Sequence, residues 1–147
     1  MQSVEIKGMK EVQEIIDNVL DLVKRVRGEA FEELGSELLN DVREEIGGSG
    51  RVAGVQEYRV GSGKGYVVVR PKANTELGGY AAGYVTNALE NGHKQTAGRY
   101  IPAIGMKTKA TYVQGKHMYQ GLPVPRLANA AAEEISKKIV AGLKEIL

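Results

Sequence analysis

The segment Gly61-Ser62-Gly63-Lys64-Gly65 is the place where this sequence comes nearest to a phosphate-binding loop. That motif begins with a glycine where this chain has Tyr58, and it needs Ser or Thr directly after the lysine, where Gly65 stands. A phosphate loop also opens a helix, whereas the runs on both sides, Val52–Val60 and Tyr66–Arg70, are rich in β-branched and aromatic residues. The pattern therefore predicts a β-hairpin turn and not a nucleotide site.

Metal binding is the second chemistry that the residues could suggest. The chain has two histidines, His93 and His117, and no cysteine. Glu90 could join His93 as a ligand, but a metal site needs several ligands at defined spacing, and no further acid follows until Glu133. We therefore expect surface or interface histidines, with no metal and no cofactor.

Catalytic groups are not apparent either. Most carboxylates occupy the polar face of a single long amphipathic segment, where a solvated helix face is their expected role. The chain lacks a Gly-x-Ser-x-Gly nucleophile motif, and without cysteine it has no thiolate nucleophile. The sequence predicts no catalytic residues and a protein that is not an enzyme.

Charge is distributed unevenly along the chain. Residues 1–50 carry a net charge of −6 and residues 51–126 a net charge of +8, although the whole chain is only +2. From Asn91 to Ala132 there is no acid, but there are six lysines and arginines. Such asymmetry predicts interaction with charged partners.

Tyrosines are interleaved with the bases of this tract, which leaves three interpretations open. The tract could be a loop that only increases solubility, or it could fold onto an acidic neighbouring protein. Residues 91–126 could also bind nucleic acid by contacting phosphates and stacking on bases; of the two binding functions we favour the neighbouring protein. The candidate partner-interface residues are Lys94, Arg99, Tyr100, Lys107, Lys109, Tyr112, Lys116, His117 and Tyr119.

Apolar residues recur at steps of three and four from Met9 to Ile46, which predicts one long amphipathic helix. Gly28 and Gly35 lie inside it, and a kink near Gly28 is expected because glycine weakens a helix by about 1 kcal/mol relative to alanine. A second amphipathic helix is predicted from Leu127 to Ile146. A helix as long as the first favours a homo-oligomer, because its apolar stripe outruns a small sheet.

Between the helices the pattern is mainly that of strands. Ser3–Lys7 alternates like a short strand, Tyr80–Glu90 reads as a strand that turns into a short helix, and Ala110–Val113 is a possible strand. Residues 91–121 read as an extended basic loop. We predict one α+β domain, residues 1–147, in which the long N-terminal helix and the C-terminal helix pack on a small antiparallel β-sheet. The chain has no run of eighteen apolar residues, so no membrane span is expected, and the lack of cysteine favours a reducing cytoplasm.

Four sequence features together resemble the small neck proteins of tailed phages, which join head to tail or complete the tail. They are VEIKGMKEV leading into the long helix, Gly79-Tyr80-Ala81-Ala82-Gly83-Tyr84-Val85 running into Leu89-Glu90-Asn91-Gly92-His93, the element Gly115-Lys116-His117-Met118-Tyr119, and a final helix rich in Ala and Glu. The resemblance spans nearly the whole chain, with loose motifs.

The resemblance implies a structural subunit of a phage, prophage or phage-tail-like particle. It implies a ring, of six subunits by analogy, at the neck or the top of the tail. The implied partners are further copies of the chain, adjacent neck, tail-terminator or tail-tube proteins, and the DNA that passes through. It places the protein in the host cytoplasm during assembly and then in the particle.

Overall fold

The structure is a computed structural model, and it describes residues 8–47, 50–95, 97–98, 100–101, 105–107 and 109–147. The strand that the sequence predicts at Ser3–Lys7 lies outside these residues. In chain order the elements are α1 (Met9–Ile46), α2 (Arg51–Gly54), β1 (Gln56–Val60), β2 (Val67–Pro71), β3 (Glu76–Leu77), β4 (Tyr80–Ala81), α3 (Ala82–Asn91), β5 (Gly92–Gln95), β6 (Tyr100–Ile101), β7 (Met106–Lys107), β8 (Thr111–Gln114) and α4 (Val124–Ile146).

This order confirms the α+β class, with a long N-terminal helix, a C-terminal helix and small antiparallel sheets. The predicted single sheet is, in the described residues, four separate two-stranded sheets: β1–β2, β3–β4, β5–β8 and β6–β7. Helix α1 is assigned without interruption through Gly28 and Gly35.

The β1–β2 hairpin shows why glycines occupy its turn. The Gly61 amide donates to the Tyr66 carbonyl at 2.9 Å, and the Lys64 amide donates to the Gly61 carbonyl at 2.9 Å. A side chain at Gly61 would meet the Tyr66 ring at 2.5 Å. The segment is thus a turn between two strands, as predicted, and not the opening of a helix.

Gly28 of α1 has a packing role. A Cβ at this position would lie 3.3 Å from Cδ of Lys64, and the Arg27 guanidinium beside it donates to the Gly63 carbonyl at 2.8 Å. The glycine therefore lets the hairpin turn approach α1 closely.

The chain forms two compact units. The first contains α1 up to Ser36, residues 59–68 and residues 123–147. Among the described residues, its buried apolar side chains are Leu22, Val26 and Ala30, at successive core positions of α1. A Cβ at Gly142 of α4 would lie 2.6 Å from a methyl group of Leu22, so the two helices are in close contact there.

Charged side chains of α1 and α4 also interact in this unit. Glu134, one turn before Lys138, holds the pKa of that ammonium above its usual value through a hydrogen bond and its charge, and Glu33 and Glu29 of α1 add to the effect. Since Lys138 faces Glu29 and Glu33 while Gly142 faces Leu22, the two helices run antiparallel.

The second unit contains residues 37–58 and 69–122. Its core consists of Val42, Ile46, Ala53 and Met118, and half-buried apolar side chains pack against it: Val52, Val69, Leu89, Tyr119 and Leu122. Met118 is completely buried, although it lies within the segment that the sequence predicts as an extended loop.

One secondary-structure prediction is wrong. Val52–Val60 was expected to be a strand throughout, but Arg51–Gly54 forms the helical turn α2 and the strand begins at Gln56. The turn places Ala53 in the core, and the Arg43 guanidinium donates to the Ala53 carbonyl at 3.2 Å. Core packing and this hydrogen bond outweigh the β propensity of the valines.

We expect Met118→Ala to lower the free energy of unfolding by about 2–5 kcal/mol, because it removes a completely buried side chain and leaves a cavity. Met106→Ala is the matched control, since Met106 is 58% exposed and its loss should change stability by less than about 0.5 kcal/mol. Urea denaturation followed by circular dichroism measures both. Equal effects of the two substitutions would contradict the burial of Met118.

Candidate partner-binding surfaces

Two strands of the basic tract, β5 and β8, pair as an antiparallel ladder. Its register pairs Lys94 with Tyr112, and both side chains are exposed. Gly92 opens β5 with φ +84, and a Cβ there would lie 2.5 Å from the Val113 carbonyl oxygen. This position thus requires glycine, and glycine allows the strands to pair directly after α3.

A second ladder, β6–β7, lies between β5 and β8 in the chain. It pairs Tyr100 with Lys107 and Ile101 with Met106. The Tyr100, Met106 and Lys107 side chains are exposed. Each ladder therefore places one lysine directly opposite one tyrosine, and directly opposed residues project from the same face of an antiparallel pair.

Lys109 also has an exposed side chain, and its carbonyl accepts a hydrogen bond from the Gln95 amide at 3.0 Å. Arg99 lies outside the described residues. We use the name ladder face for the exposed residues that the two ladders and Lys109 present, which are Lys94, Tyr100, Lys107, Lys109 and Tyr112.

The other three predicted interface residues belong to the anchored end of the tract. The Lys116 ammonium donates to the Ile46 carbonyl at 3.2 Å, at the C-terminal end of α1, where a positive charge is favourable. The backbone amides of Lys116 and His117 donate to the Leu89 and Glu90 carbonyls. The Lys116 and His117 side chains are both exposed, whereas Tyr119 is half-buried.

Tyr119 joins a buried polar network. Its hydroxyl hydrogen-bonds to the side-chain carbonyl of Gln56, which is fully buried, and its amide donates to the Glu90 carboxylate at 3.1 Å. The Gln56 side-chain amide donates to the Thr86 hydroxyl at 3.0 Å and to the Val52 carbonyl at 3.2 Å. Burial raises the pKa of Tyr119, and the nearby charge of Glu90 raises it further.

Sequence reasoning missed this network. Gln56, Thr86 and Glu90 are buried polar residues separated by 30 and 4 positions, and no periodic pattern connects them. From the sequence, the chemistry suggested for Glu90 was metal ligation beside His93. In the structure its carboxylate accepts from Tyr119 while His93 is exposed, and the described residues contain no group of three or more His, Cys, Asp or Glu placed to hold a metal.

A second candidate surface lies on α1, which we call the front and define as residues 9–21. Its large apolar side chains are exposed by 39–62%, and they are Met9, Val12, Ile15, Ile16 and Leu20. The same segment carries four acids, Glu11, Glu14, Asp17 and Asp21, and one lysine. The front is therefore both apolar and acidic.

Comparison of the chain with protein families, with curated proteins and with solved structures found no match. Among the helices in the described part of the chain, none combines the length and apolar character that crossing a membrane needs.

We expect Tyr119→Phe to lower the free energy of unfolding by about 1–3 kcal/mol near neutral pH, because the buried Gln56 carbonyl loses its donor. The matched control is Tyr84→Phe, since Tyr84 is 64% exposed. Urea denaturation of both variants gives the comparison.

The effect of Tyr119→Phe on the free energy of unfolding should also depend on pH. The pKa of Tyr119 is higher in the folded chain than the ordinary 10.0, so its protonated form stabilises the fold. That contribution is complete below pH 10 and is lost as the pH rises through the folded pKa. The stability difference between wild type and Tyr119→Phe should therefore shrink above pH 10. A difference independent of pH would contradict the assigned environment.

Proposed function

We propose that this chain is a structural subunit of a phage, prophage or phage-tail-like particle. It forms a ring at the head–tail neck or the top of the tail, by associating with copies of itself and docking onto neighbouring rings. The observation that carries the proposal is the front, where a continuous apolar stripe on α1 is exposed to solvent.

Exposure of that stripe is unusual for a protein that acts alone. Single exposed apolar residues are common on surfaces, but contiguous apolar patches mark sites of interaction. Met9, Val12 and Ile16 follow one another at steps of three and four, so they line one side of the helix. A stripe of this kind is typical of a helix that packs against another subunit.

The resemblance to phage neck proteins supports the proposal that this association takes place in a phage or phage-tail-like particle. Its motifs fall on definite elements: the Gly79–Val85 segment covers β4 and the first turn of α3, and the Gly115–Tyr119 element is the anchored end of the tract.

Loss of the gene tests this function in the organism that carries it. We expect electron microscopy of induced cultures to reveal heads and tails that are not joined, or tails that are incomplete. Normal particles from the deletion strain would contradict the proposal.

Complementation then tests the front itself. Wild type should restore joined particles, whereas Val12→Ser, Ile16→Ser and Leu20→Ser combined should not, because a polar stripe no longer packs on a partner. The control variant is Val140→Ser, which removes a valine that is 53% exposed on α4. It should complement like wild type.

The ladder face favours nucleic-acid binding as a second candidate, since each ladder sets a lysine opposite a tyrosine. Lysines contact phosphates and tyrosines stack on bases. If duplex DNA binds there, log K should fall with log salt by about 0.9 per phosphate contacted, and Lys107→Glu with Lys109→Glu should reduce that slope by about two.

We expect only weak, sequence-indifferent DNA binding by the isolated subunit, together with defective assembly of the Lys107→Glu, Lys109→Glu variant. Tight binding at physiological salt, with assembly unaffected by these substitutions, would place nucleic-acid binding first. Fluorescence anisotropy over a salt series measures the binding.

A further inference from the structure

We propose that copies of this chain join head to tail, with the front of one copy docked on the ladder face of the next. This inference rests on the proposed function, because it identifies the contact by which the ring would form. The partner of each surface is thus a second copy of the same chain.

The apolar pattern of the front fits a packed partner. Met9, Val12, Ile16, Val19 and Val23 alternate in steps of three and four, which is the spacing of residues that line a helix seam. Farther along α1 the pattern continues to Val26, which is 2% exposed, but at Val12 the exposure is 52%. The apolar stripe is therefore buried within the first unit near Val26 and exposed to solvent near Val12.

Acidic residues border this open stripe on both sides. Glu11 is one turn from Ile15, and Asp17 is one turn from Leu20, so each apolar edge carries a carboxylate. A partner surface that covers the stripe must face these charges.

The ladder face offers the complementary chemistry. Tyr100 and Tyr112 present exposed aromatic surface, by 57% and 58%. Lys107 is paired with Tyr100 and Lys94 with Tyr112, Lys109 is also exposed, and the chain has no acid between Asn91 and Ala132. Apolar side chains with a basic border therefore meet apolar side chains with an acidic border.

Contact between like surfaces is disfavoured by the same charges. Two fronts together would oppose Glu11 and Asp17 with their copies, and two ladder faces would oppose lysines with lysines. Contact between unlike surfaces pairs each carboxylate border with an ammonium border. A contact of this heterologous kind leaves a free front at one end and a free ladder face at the other, so it propagates until a ring closes.

Charge reversal tests the contact. An acid-reversed variant carries Glu11→Lys, Glu14→Lys and Asp17→Lys, and a base-reversed variant carries Lys94→Glu, Lys107→Glu and Lys109→Glu. Each variant alone should associate at least about tenfold more weakly than wild type, because every contact then opposes like charges. Analytical ultracentrifugation measures the association.

Mixing the two variants is the decisive arm. In an equimolar mixture, each front meets a ladder face of opposite sign on the other variant, so association should return to within about threefold of wild type, and the six changes combined in one chain should restore it as well. Variants that remain weak when mixed would overturn the proposal. Recovery in the mixture would also exclude misfolding as the cause of weak association, because a misfolded variant would not regain binding when mixed with the other variant.

Matched controls reverse the same number of charges elsewhere. Glu37→Lys, Glu44→Lys and Glu45→Lys change exposed acids near the other end of α1, and Arg51→Glu, Arg59→Glu and Lys72→Glu change exposed bases outside the tract. Both control variants should associate like wild type. An equal loss in the controls would assign the effect to net charge and overturn the proposal.

Cysteine cross-linking provides direct evidence, because the chain contains no cysteine of its own. Chains carrying Val12→Cys and chains carrying Tyr100→Cys are mixed under mild oxidation. We expect the mixed disulfide dimer to form at least about tenfold faster than either like-with-like dimer, because only the mixed pair is held together by the contact. Preferential Val12–Val12 cross-linking would overturn the proposal in favour of front-to-front pairing.

The outcomes separate this inference from the function on which it rests. If the deletion strain lacks joined particles but the mixed variants do not associate, the structural role stands and the ring uses another contact. If the deletion strain makes normal particles while the mixed variants associate, the contact stands and the role in a particle falls.

Discussion

The hydrogen bonds of the buried Gln56 side chain hold the second unit together. Its amide donates to Thr86 of α3 and to Val52 of α2, and its carbonyl accepts from Tyr119 near the end of the basic tract. The backbone carbonyl of Gln56 also accepts from Arg43 of α1 at 3.2 Å. One residue thus links α1, α2, α3 and the end of the basic tract, and all of its side-chain polar atoms are hydrogen-bonded, as burial requires.

This network determines which part of the basic tract is available to a partner. Because Tyr119 is bound to Gln56 and Glu90, and Met118 is buried beside them, the end of the tract is part of the core. A Cβ at Gly115 would overlap the Glu90 carbonyl oxygen, so the chain passes directly against the end of α3 there. Strand β5 directly follows α3, and β8 directly precedes this contact. The β5–β8 ladder therefore displays Lys94 and Tyr112 on a supported element.

The helices could be predicted from the sequence because their cause is local. The three-and-four spacing of apolar residues in α1 and α4 extends over many turns, and the strand-to-helix change at Tyr80–Asn91 and the strand near Thr111 have local signals too. The polar network could not be predicted in this way, since nothing local distinguishes the buried Gln56 from an exposed glutamine. The same limit explains why Tyr119 was expected to contact a partner. A tyrosine in a basic tract suggests such a contact, but the Tyr119 hydroxyl is hydrogen-bonded within the unit.

Directional contact follows from the way charge and apolar surface are combined in this chain. The acids of α1 and the bases of the ladder face are exposed on different elements, so the core requires neither set. Each set nevertheless borders exposed apolar side chains, where a charge selects the partner while the apolar surface supplies the affinity. Two surfaces of opposite sign on one chain cannot be satisfied by a two-fold dimer that pairs like with like. In the assembly that we propose, each copy uses both surfaces once, as each subunit of a closed head-to-tail ring does.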